Sequence, residues 1–263
     1  MSSSAEPVPS QVGAADTSRR PSIWLFLALV VVYVAIAQGM TLVLRDEAGA
    51  DTSTVNGLVA RLIIPVTLAT AVLLIVMTVL RSWQRTFVET KTFQRWTMVI
   101  PLLLLVLVLA VTNYSGLAQK GALYSLLLLV SMCIVGFAEE LLYRGIGVDA
   151  FRSAGFSEVQ VGLWTSAIFG ASHLTNIVVS GPGALLQAVR TFGTGFMFYL
   201  VMRVTGALLG AAIAHALWNF MTLSTQADPA NPSNLVNLAP VALVIILVIV
   251  LVLRKRLNPP ATP

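Results

Sequence analysis

Charged side chains are scarce in this chain. Sixteen Lys and Arg with eleven Asp and Glu make up only 10% of 263 residues, against about 25% in an ordinary soluble domain. That deficit excludes a fully solvated surface, and the 57% of hydrophobic residues points instead to an integral membrane protein. Cysteine is all but absent: Cys133 alone permits no intrachain disulfide, says nothing of redox compartment, and reads as a small buried apolar residue. Histidine is limited to His173 and His215. The basic excess is modest, +5 with a pI near 9.8. It is spread over loops without the aromatic or glycine-rich context of a nucleic-acid module, so no nucleic-acid partner is expected.

What the chain does have is long apolar runs. A helical bilayer crossing takes about 20 mostly apolar residues. Such runs fall at 23–44, 62–80, 96–112, 122–152, 159–179, 184–202, 205–223 and 235–253. They predict an all-α, polytopic helical membrane bundle of about eight spans, forming one domain over 23–253. Residues 1–22, rich in Ser, Ala, Pro and Gly, read as a disordered tail, and 254–263 as a short basic one. Ala35-Ile36-Ala37 imitates a signal-peptidase site. The long tail before it and the apolar run beyond it favour an uncleaved first span.

Eight spans put both termini on one side of the membrane. That side carries Arg19, Arg20, Arg81, Arg85, Lys91, Arg95, Arg152, Arg203, Arg254, Lys255 and Arg256. The other holds Arg45, Arg61 and Lys120 beside Asp46, Glu47, Asp51 and Asp228. The positive-inside rule makes the basic side, and both termini, cytoplasmic.

Against this background Glu139, Glu140 and Arg144 stand out, three charges within six residues of an apolar run. Intramembrane charges are costly and usually face a bundle interior or cavity. If the fourth helix runs on to Arg152, Glu139 lies roughly 20 Å from its end, near the bilayer middle. His173 and His215 come to about 21 and 15 Å from the cytoplasmic ends of their own helices, so all three can meet at one depth. Glu140 and Arg144, Phe169 and His173, and His215 and Asn219 are each four apart and share a helix face. Glu140 can therefore pair with Arg144, leaving Glu139, about 100° around the axis, free to face another partner. Arg190, with Gln187 one turn earlier, is a further intramembrane charge that can snorkel or pair with Glu140. Trp164, Trp218, Phe192, Phe196, Phe198 and Tyr199 read as packing and interfacial residues.

In order and rough spacing, Glu139-Glu140-x-x-x-Arg144, Phe169-x-x-x-His173 and His215-x-x-x-Asn219 resemble the three motifs of the CPBP family of intramembrane proteases. That family includes the type II (Rce1-like) CAAX prenyl endopeptidases and the Abi proteins linked to bacteriocin self-immunity. The resemblance covers about 120–224, the catalytic core. It implies that Glu139 and His173 activate water, that His215 and Asn219 stabilise the oxyanion, and that Glu140 and Arg144 order the site. It also implies a membrane-associated peptide or protein substrate, prenylated in the eukaryotic relatives, and a bacterial plasma membrane as location. Glu139, His173 and His215 match a common catalytic zinc set with an open water position, yet no His-Glu-x-x-His pattern is present. Zinc binding stays open at this level. Two other readings compete: a catalytically silent scaffold or immunity-type protein acting by binding, and an ion or metal transporter using the same polar centre.

Overall fold

The computed structural model describes residues 19–44, 52–93, 95–177 and 181–227, and these are all-helical, with one isolated antiparallel bridge between Val88 and Ala207. The helices are α1 (Ile23–Val43), α2 (Val55–Leu80), the short α3 (Trp83–Phe87), α4 (Val99–Val111), α5 (Tyr114–Lys120), α6 (Ala122–Ser153), α7 (Glu158–Ser172), α8 (Gly183–Thr205) and α9 (Leu208–Ser224). The expected tails and the expected span at 235–253 lie outside the described residues.

Four helices, α1, α2, α6 and α8, are long and apolar enough to cross a membrane. The α4–α5 pair, bent by 57°, would make a fifth. The expectation of about eight crossings therefore narrows to four or five among the described residues. At 1.5 Å per residue, the 15 residues of α7 and the 17 of α9 reach only about 22 and 26 Å, short of a hydrocarbon core of about 30 Å. Helix α7 stops early for a local reason. Ser172 Oγ and His173 Nδ1 both bond back to the Phe169 carbonyl, and Thr175 Oγ1 bonds to the Ser172 carbonyl. These side-chain contacts compete with the helical ladder and turn the chain into a 3₁₀ segment, His173–Asn176.

Helix α2 begins seven residues before its predicted start, which puts Pro65 well inside it. A π-helical turn at Val59–Ile63 absorbs the proline. The Arg61 carbonyl, which Pro65 cannot serve as a donor, accepts the Thr41 hydroxyl of α1 at 3.3 Å.

The core of the bundle is α6 against α9 and α7 against α8. Helices associate in a membrane through small residues that let backbones approach. A Cβ on Gly136 of α6 would fall 2.8 Å from the Ala216 nitrogen and 2.9 Å from the Ala212 carbonyl of α9. Large apolar side chains outside this core, including Leu102, Leu103, Val106 and Leu109 of α4, are exposed, the pattern of a lipid-facing surface. Cys133 is exposed on α6 rather than buried, because the inward face is taken by Ser131, Met132 and Val135.

The residues assigned by charge to one side meet at one end of the bundle. Arg152 bonds Glu89 and Glu158, Lys91 and Arg203 also bond Glu158, and Arg85 bonds the Arg19 carbonyl. Lys120, assigned to the other side, bonds the Ser53 carbonyl instead.

Candidate active site

Helix α6 carries the acidic pair to its midpoint and then changes pitch. Gly145 and Gly147 do not end the helix, which passes through Leu141–Gly147 as a π-helical turn with every residue buried. Single-turn π segments of this kind are frequent at functional sites.

Glu140 and Arg144 are 0% and 1% exposed, and Arg144 Nη1 donates to Glu140 Oε1 at 2.8 Å. The pairing expected from their spacing is present, and two unforeseen partners join it, while Glu140 Oε2 and Arg144 Nε are buried without a hydrogen bond among the described residues. Arg144 Nη2 donates to the Gly195 carbonyl of α8 at 2.6 Å, and His215 Nδ1 of α9 lies 2.8 Å from the same Glu140 oxygen. Glu140 thus joins α6 to α9, and Arg144 joins α6 to α8. Aromatic rings enclose the group. The guanidinium carbon sits 4.7 Å from the Phe169 ring centroid, and Phe198 stacks on His215 at 4.4 Å. Removing such a cation from water is costly, and ring faces and a close carboxylate offset that cost.

The hydrogen bonds assign the imidazole protons. A carbonyl oxygen can only accept, so His173 Nδ1, 2.9 Å from the Phe169 carbonyl, carries a proton and leaves Nε2 with a lone pair. Tyr143 donates to Ser172 Oγ at 2.8 Å, bracing the same turn. His215 Nδ1 likewise donates to the Glu140 carboxylate, and its Nε2 faces Glu139 Oε2 at 3.5 Å. A neutral His215 would set a lone pair against the Glu139 carboxylate, so the two groups are complementary when they hold a proton between them.

Glu139, unlike Glu140, keeps 13% of its side chain exposed. It borders two cavities. One, about 380 Å³, is lined by Tyr33, Gln38, Arg61, Ser172, His173, Asn176 and Gln187. The other, about 510 Å³, is lined by Phe169, His173, Arg190, His215, Trp218 and Asn219. Glu139, His173 and Gln187 border both. The structure therefore brings all seven candidate residues together: Glu139, His173, His215 and Asn219 at the cavity wall, Glu140 and Arg144 behind it, Phe169 between the rings. Arg190 does not pair with Glu140, whose contacts go to Arg144 and His215; it is exposed at the rim of the larger cavity.

Sequence reasoning missed Tyr33, Tyr143, Ser172 and Gly195, and read Phe198 as packing without its place on His215. Tyr143 sits inside the acidic motif and was open to notice. Gly195 contributes a backbone carbonyl, which no residue type announces.

Among the described residues no three His, Cys, Asp or Glu side chains are gathered so as to hold a metal ion. His173 and His215 have each committed Nδ1, to Phe169 and Glu140 respectively. A metal-bound imidazole also turns one nitrogen to a carbonyl or carboxylate and ligates through the other, so these Nδ1 contacts leave both Nε2 atoms as candidate ligands.

Residues 121–221, less than half of the chain, match the family described as type II CAAX prenyl endopeptidase, Rce1-like. No curated protein and no solved structure matches the chain. The matched segment runs from the start of α6 into α9 and contains every motif residue from Glu139 to Asn219. The match implies a protease, a hydrolase set among apolar helices of an integral membrane protein and acting on a membrane-associated substrate.

Proposed function

We propose that this protein is an intramembrane endopeptidase that hydrolyses a peptide bond of a membrane-associated peptide or protein. The observation that carries the reading is a single cavity wall holding Glu139, His173, His215 and Asn219, backed by the Glu140–Arg144 pair.

Hydrolysis needs a base for water and donors where negative charge develops. Water held between the Glu139 carboxylate and His173 Nε2 gives a proton to Glu139 as its oxygen bonds the scissile carbonyl carbon. The carbonyl electron pair moves onto oxygen, where protonated Nε2 of His215 and the Asn219 amide donate to it. Collapse restores the carbonyl and breaks the C–N bond, and Glu139 returns the proton to the leaving amine. Glu140 fixes the His215 ring through Nδ1 and is itself held by Arg144. We take the end bearing Arg85, Lys91, Arg152 and Arg203 as cytoplasmic.

Peptidomics of cells carrying wild type or Glu139→Ala tests activity and identifies substrate together. Peptides that disappear with Glu139→Ala and with His173→Ala, at a rate loss of at least about a hundredfold for the purified variants, are expected. Identical peptide sets would favour a silent scaffold acting by binding.

A further inference from the structure

The matched segment begins at residue 121, yet the cavity beside Glu139 is also walled by the first helix. The buried residues of α1 are Phe26, Leu29, Val30 and Tyr33, one stripe at helical spacing. Its register against α6 is set at Phe26. A Cβ on Gly147 would meet the Phe26 ring at 2.8 Å, and Phe26 packs edge-on against Tyr143 and Phe151. Seven residues on, about 10 Å along α1, lies Tyr33; eight residues back from Gly147, about 12 Å along α6, lies Glu139. The two helices run antiparallel through this contact, so Tyr33 arrives at the level of Glu139.

The surroundings agree with that register. Tyr33 is 5% exposed and lines the 380 Å³ cavity with Glu139, Ser172 and His173. Its hydroxyl is buried and makes no hydrogen bond of normal geometry among the described residues, although it is close enough to interact with Glu139. Leaving a buried hydroxyl unpaired is costly, and a residue chosen only for packing would be served by Phe.

We infer that Tyr33 is a positioning residue of the active site, its hydroxyl donating to the Glu139 carboxylate and holding it toward His173 and the bound water. The donor leaves one carboxylate oxygen for the water and steers the other away from it. The role rests on the proposed hydrolysis, and it makes α1 part of the catalytic apparatus although the family motifs lie on α6, α9, α7 and the 3₁₀ turn that follows α7.

The test is Tyr33→Phe in the full chain, in lipid nanodiscs, assayed with an internally quenched farnesylated CAAX peptide as probe. The expected result is a kcat lowered about tenfold, a KM within twofold of wild type, and an unfolding temperature equal to or above wild type. A merely structural tyrosine would lower the unfolding temperature and spare kcat. Wild-type kcat in Tyr33→Phe would overturn the inference. Infrared difference spectra test the contact without substrate: subtraction of the Glu139→Gln spectrum identifies the Glu139 carboxyl band, which should move in Tyr33→Phe. An unmoved band overturns the inference even if the enzyme is slower. A wild type that leaves this probe intact removes a farnesylated peptide as substrate, and the infrared band then decides the inference.

Discussion

At the scale of single residues, the two adjacent glutamates do different work because one is fully enclosed and the other is not. Glu140 Oε1 receives both Arg144 and His215, whereas Glu139 faces the cavities. Exchanging Glu140 for Gln removes the counter-charge of a guanidinium that is 1% exposed. Breaking a buried pair from one side costs about 3 to 5 kcal/mol, so Glu140→Gln should unfold at a markedly lower temperature in detergent. Hydrolysis should fall at least about a hundredfold, since His215 loses the carboxylate that orients its ring. Wild-type stability and rate in Glu140→Gln would show that the cluster is neither a structural nor a catalytic support.

At the scale of elements, the site depends on where helices are allowed to touch. Gly195 lets α8 lie against α6 and α7: a Cβ there would stand 2.8 Å from Arg144 Nη2 and 2.9 Å from Phe169 Cδ1. Neither neighbour can yield freely, since Arg144 is held by Glu140 and by the Gly195 carbonyl itself, and Phe169 is enclosed by Tyr143, His173 and His215. Gly195→Ala should therefore cost about 1 to 3 kcal/mol, measured by thermal unfolding. It should also slow hydrolysis, although the glycine has no chemical role. Full activity with unchanged stability would mean that α8 can shift without disturbing Arg144.

At the scale of the whole molecule, the polar end of the bundle is tied together through Glu158, at the first residue of α7 and ahead of its apolar stretch. Glu158 collects Lys91, Arg152, Arg203 and the Tyr199 hydroxyl, and Arg203 also reaches the Lys91 carbonyl. The connection thus links the loop before α4, the end of α6 and the end of α8. Burial alone would raise the Glu158 carboxyl, but hydrogen bonds from Arg152 and Lys91 and the charges of Arg152 and Arg203 hold it down at about 2. A carboxyl held below its ordinary value near 4.5 contributes stability that is complete above that value and is lost as pH falls toward about 2. Thermal unfolding in detergent should show this loss between those two pH values, and Glu158→Gln should lower stability at pH 7 and flatten that part of the curve. A variant with the wild-type pH profile would remove Glu158 as the link.

The linear order of residues settles the helical class, the apolar surface and the motif contacts, because these follow from local rules. Four-residue spacing alone brings Glu140 to Arg144 and Phe169 to His173. Charge sorting alone groups Lys91, Arg152 and Arg203 at one end and Lys120 away from them. Helix lengths were less legible, since apolar composition runs on past Ser172 while side-chain bonds to the Phe169 carbonyl end the helix there. Packing between distant segments settles the rest. That His215 bonds Glu140 as well as facing Glu139, that Gly195 offers its carbonyl to Arg144, and that Tyr33 reaches the site from α1 all join residues 51 to 106 positions apart. Such contacts depend on which small residues let two helices close and on which carbonyl a donor from a neighbouring helix can reach. Neither property belongs to a residue until its neighbours from elsewhere in the chain are in place.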